Sequence, residues 1–169
     1  MNRILLFFYF VSLLAVMVGF YGMNSFTAVL EEDDTGGSNP AMVIPVFILP
    51  FFFYFLYGTT ELSMRITDRY KNRNVRLGSV VISAAAAFGI AVYTFARAHA
   101  LRNEIVLKLD HIESASQIPL LNLYSNSLFF NPMTFILIIL LCYIAGVLWS
   151  VSRKRRQSIE NKRSDQMVT

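Results

Sequence analysis

The chain has 169 residues, of which 55% are hydrophobic and only 15% charged, with a net charge of +4. That balance excludes an ordinary soluble globular domain, and the basic excess follows membrane orientation, so nucleic-acid binding is not implied. The single cysteine, Cys142, excludes an intrachain disulfide.

Four stretches, 4–30, 35–60, 77–96 and 114–152, contain no Lys, Arg, Asp or Glu. Crossing ~30 Å of hydrocarbon takes about 20 apolar helical residues, so each stretch supplies a span. The predicted spans are 4–23, 41–60, 77–96 and 133–151. The expected fold is an all-α integral membrane protein, four transmembrane helices in a compact bundle over residues 1–152. An extracytoplasmic helical extension follows the third helix.

The first span follows Arg3 and is too long for the ~7–15-residue apolar region of a signal peptide. It reads as a retained helix. The loop after it carries Glu31, Glu32, Asp33 and Asp34, then Gly36 and Gly37. Asn39 and Pro40 are a helix cap and a first-turn proline for the second span. Pro45 and Pro50 predict a bent packing helix there. Beyond Thr60, Leu62, Ile66 and Tyr70 recur every four residues beside Arg65, Arg69 and Arg73. This pattern fits either an amphipathic continuation or a solvated loop.

The third span holds a stripe of small residues at a spacing of four: Ser79, Ser83, Ala87 and Ala91. Small faces let helix backbones approach closely in lipid, which places this helix at the centre of the bundle. Gly146 serves the same purpose in the fourth span. Spans one and two, rich in Phe, Leu and Tyr, read as more lipid-exposed.

Segment 97–132 continues helical spacing through Leu101, Ile105, Leu109 and Ile112, with Glu104 and Lys108 as an i,i+4 pair. The uncharged run that follows includes Leu120, Leu121, Phe129 and Phe130. These four form either a lid on the bundle or a surface for a partner. Asn131 and Pro132 open the fourth span. Residues 153–169 lack apolar periodicity and read as a disordered basic tail. Its Arg153, Lys154, Arg155 and Arg156 are candidate contacts to the inner leaflet.

Charge sets the expected topology. Arg3, Arg65, Arg69, Lys71, Arg73, Arg76, Arg153, Lys154, Arg155, Arg156, Lys162 and Arg163 fall on one side, and Arg97, Arg102 and Lys108 on the other. Basic short loops stay cytosolic, so both termini are expected there, and a bacterial cytoplasmic membrane suits the short loops.

No charged residue lies deep in a span, which weighs against proton-coupled transport. Glu61 and Arg97 sit at span ends. His99 and His111 lie twelve residues apart, about 120° around a helix, and match no chelating spacing. No catalytic, cofactor or metal signature is present, and no cofactor is expected. The leading reading is a non-enzymatic protein working through contacts with lipid, another membrane protein or itself, as an accessory or immunity-like subunit. A homo-oligomeric channel or small-solute transporter is the alternative, and a lipid-modifying enzyme the third.

Overall fold

The structure is a computed structural model. It describes residues 3–28, 39–69, 72–108 and 114–168, with residues 73, 158 and 161–168 described by their backbone alone. The acidic run at 31–34, the Gly36–Gly37 pair, and Asp110, His111 and Glu113 lie outside the described residues.

Four long helices carry the fold: α1 (Arg3–Ser25), α2 (Val43–Arg69), α3 (Arg73–Lys108) and α5 (Pro132–Val168). A single turn, α4 (Asn126–Phe129), precedes the last. All four long helices are apolar enough to cross a membrane, and the protein is an all-α, multi-pass four-helix bundle.

The helix starts follow from asparagine caps. Asn39 Oδ1 accepts from the Ala41 amide at 3.1 Å ahead of α2. Asn72 Oδ1 accepts from Asn74 at 2.9 Å ahead of α3. Asn131 Oδ1 takes the amides of Met133 and Thr134 at 2.8 and 3.0 Å, with Pro132 at the first position of α5. Past Thr60, α2 runs on unbroken to Arg69, helped by an Arg65–Glu61 pair at 2.7 Å. At ~1.5 Å per residue, the 36 residues of α3 make about 54 Å. That exceeds the ~30 Å of hydrocarbon, so α3 projects beyond the bilayer.

The neighbour order differs from the chain order. The order runs α1, α2, α5, α3: α2 packs between α1 and α5, and α3 packs on α5. Aromatic stacking fills the α1–α2–α5 core, with Tyr9 on Phe55, Phe55 on Phe135, and Phe20 edge-on to Phe130 and Phe135.

Two expectations are corrected. The small-residue helix α3 is peripheral, not central: whereas α2 is held between α1 and α5, α3 packs mainly on α5. Its small stripe occupies one face only. The rest of its circumference carries Val81, Ile82, Phe88 and Val92, all exposed, so it fits against a single neighbour. The tail is helical, not disordered, because nothing after Gly146 interrupts α5. No proline or glycine follows, and Arg, Lys, Gln and Glu are good helix formers.

Candidate functional site

A close backbone seam joins α2 to α5. A Cβ added to Gly146 would lie 2.6 Å from the Thr60 carbonyl oxygen, 2.8 Å from Ser63 Cβ and 3.0 Å from the Met64 nitrogen. Backbone meets backbone there. Facing it, Thr59, Ser63 and Thr67 stack at a spacing of four, all buried. The Ser63 hydroxyl donates to the Thr59 carbonyl at 2.7 Å, and Thr67 donates to the Ser63 carbonyl at 2.8 Å. Buried polar groups in lipid need such internal partners. At the basic end, Asp68 accepts from the Ser150 hydroxyl at 2.8 Å and pairs with Lys154 Nζ at 2.7 Å.

Beside this seam lies a lateral crevice. Residues 70–72 are all that separates α2 from α3, yet both helices lean on α5 instead of packing along each other. The space between them is about 550 Å³, walled by Leu62 and Ile66 of α2 and Ile82 of α3, and floored by Ile139, Leu140 and Tyr143 of α5. Ile82 is 71% exposed, so the crevice is open on its side. Every hydroxyl lining it except that of Ser83 is engaged within the protein. Tyr9 and Thr59 meet at 3.3 Å, and Ser79 and Tyr143 at 2.7 Å.

The segment after α3 closes one end of the bundle. Ile105, Ile118 and Tyr124 form a second buried cluster with Leu101, Val106 and Ala28. Asn126 is fully buried. Its amide donates to Asn39 Oδ1 at 3.2 Å and to the Phe26 carbonyl at 3.4 Å, while Asn39 donates back at 2.8 Å. Asn24 reaches the Phe130 carbonyl at 2.9 Å, and the Ala28 amide reaches the Leu123 carbonyl at 3.2 Å. The segment is thus stitched to both sides of the first loop.

The predicted site residues separate accordingly. Ser79 and Ser83 line the crevice. Ala87 is buried and Ala91 half-buried farther along α3, while Gly146 lies in the other seam. Leu120, Leu121, Phe129 and Phe130 are all half-buried. The Phe130 ring packs 5.3 Å from Phe20, at the edge of the core. Lys154 is likewise held by Asp68, whereas Arg153, Arg155 and Arg156 are exposed. The Thr59–Ser63–Thr67 row, Tyr143 and Asn126 were not singled out from the sequence. The hydroxyl row has a readable spacing of four, but Tyr143 and Asn126 gain meaning only from their partners.

Among the described residues, no three His, Cys, Asp or Glu side chains gather as a metal site. No protein-family model, curated protein or solved structure matches this chain.

Proposed function

We propose that this is a non-enzymatic membrane protein that works through lateral contacts in the bilayer, as an accessory or regulatory subunit. The observation carrying this reading is the one-sided packing of α3, which leaves an apolar crevice and a long apolar helix face beside it. Lipid alone can cover such a face, but α3 also offers a close approach to a second helix on the flank of its small stripe. The internally bonded hydroxyls weigh against a polar path for solutes. Both termini are proposed to face the cytosol of a cell membrane, the bacterial cytoplasmic membrane, on the division of basic residues.

The test is site-specific photocrosslinking in native membranes. A photoreactive side chain at Ile82 or Val81 of α3 should give a discrete protein adduct. The same group at Phe47 of α2, equally exposed, should give none. Absence of any adduct from α3, with solute uptake by the purified protein in vesicles, would overturn the reading in favour of transport.

A further inference from the structure

The crevice has one chemically distinct end. Its α2 wall runs from Thr59 to Ile66, and the next position on that helix face, three residues on, is Arg69. Its α3 wall begins at Ser79, and Arg76 lies three residues before it, where the Ser79 hydroxyl donates to the Arg76 carbonyl at 2.9 Å. Arg69 and Arg76 therefore lie about one turn beyond the lined walls, toward the end of α2 and the start of α3. Neither is in an ion pair among the described residues. The neighbouring acid, Asp68, is already held by Lys154 and Ser150.

We infer that the crevice binds an anionic phospholipid, its acyl chain along the apolar walls and its phosphate between Arg69 and Arg76. The volume of about 550 Å³ falls within the ~300–1,000 Å³ of small-ligand sites. With every lining hydroxyl but that of Ser83 engaged internally, the crevice presents mostly alkyl surface, which suits a hydrocarbon chain better than a polar solute. Basic pockets between membrane helices select anionic headgroups, and the guanidinium fork matches phosphate geometry. The inference rests on the lateral-contact reading only in taking the crevice as open to the bilayer.

The test uses the full-length protein in mild detergent, offered phosphatidylglycerol or phosphatidylcholine with identical chains. Retained lipid is counted by native mass spectrometry, and stability is followed by thermal melting. Phosphatidylglycerol should be retained on the order of tenfold more than phosphatidylcholine and should raise the melting temperature. Arg69→Gln with Arg76→Gln should bring the two lipids to parity. Arg155→Gln with Arg156→Gln, in the tail, should leave the preference intact. Ser83→Phe, which fills the crevice, should lower retention of both lipids without depending on the arginines. Parity in the unmodified protein, an unchanged preference without Arg69 and Arg76, or its loss in the tail variant would overturn the inference. So would equal stabilisation by inorganic phosphate alone, or a dimer that excludes lipid from the crevice. Photocrosslinking from Ile82 is read separately, so a protein partner found there with no lipid preference would leave the lateral-contact function standing.

Discussion

Gly146 and Gly89 illustrate how differently one residue type serves in this protein. At Gly146 the nearest atoms are the backbone of α2, which cannot turn aside, whereas a Cβ on Gly89 would meet nothing within 4 Å. Gly146→Ala should therefore destabilise by about 1–3 kcal/mol through overpacking. Gly89→Ala should be neutral or stabilise by up to ~1 kcal/mol through helix propensity. Melting temperatures in detergent check both, and equal effects would contradict the tight α2–α5 seam. Asn126 gives a second prediction at this scale. Asn126→Ala leaves the Asn39 side chain without its buried partner, at a cost of about 1–3 kcal/mol. Adding Asn39→Ala to it should cost less than the sum of the single changes, as groups in one network do not act additively.

At the scale of elements, the α3 stripe grades along its length. Ala87 is 5% exposed, whereas Ser83 borders the open crevice and Val81 is 60% exposed. Ala87→Leu should lower the melting temperature most, Ser83→Leu less, and Val81→Leu hardly at all. A uniform drop would mean that α3 is held on all sides. The Asp68–Lys154 pair joins the same two helices as Gly146, but both side chains are more than two-fifths exposed. Lys154→Met should accordingly cost less than ~1 kcal/mol, well below Gly146→Ala. Much of this level was legible in the sequence. Uncharged runs marked four spans, Asn39–Pro40 and Asn131–Pro132 marked two starts, and the four-residue recurrence of Leu62 and Ile66 allowed a continuation of α2. The order of neighbours was not legible. A small-residue face states that a helix comes close to something, but it carries no record of how many neighbours it has. The tail misled for a different reason: its residues bury nothing, so apolar periodicity was silent, while intrinsic propensity and an uninterrupted helix upstream carried α5 onward.

For the whole molecule, the distribution of basic residues predicts which face is reachable from outside. In a Cys142→Ala background, cysteine at Ser116, an exposed position beyond α3, should react with an impermeant maleimide on intact cells. Cysteine at exposed Asn72, between α2 and α3, should react only after permeabilisation. The reverse pattern would invert the topology and move the arginines flanking the crevice to the outer leaflet. In segment 97–132, Leu123 and Asn126 hydrogen-bond to Phe26, Ala28 and Asn39 on both sides of the first loop. A partner on that side would meet the edges of Leu120, Leu121 and Phe129.

The crossed order of helices has a consequence for how the protein is made. Helix α3 is synthesised directly after α2 but leans on α5, which is synthesised later. During translation α3 must therefore reside in the bilayer as a helix without its mate, held there by its own hydropathy. Helices that are separately stable in lipid and associate afterwards can tolerate such a delay, and the absence of charge from 77 to 96 equips α3 for it. Arrival of α5 then joins α3 to the α1–α2 pair: it sets Gly146 against α2 and receives the α3 stripe on its other flank.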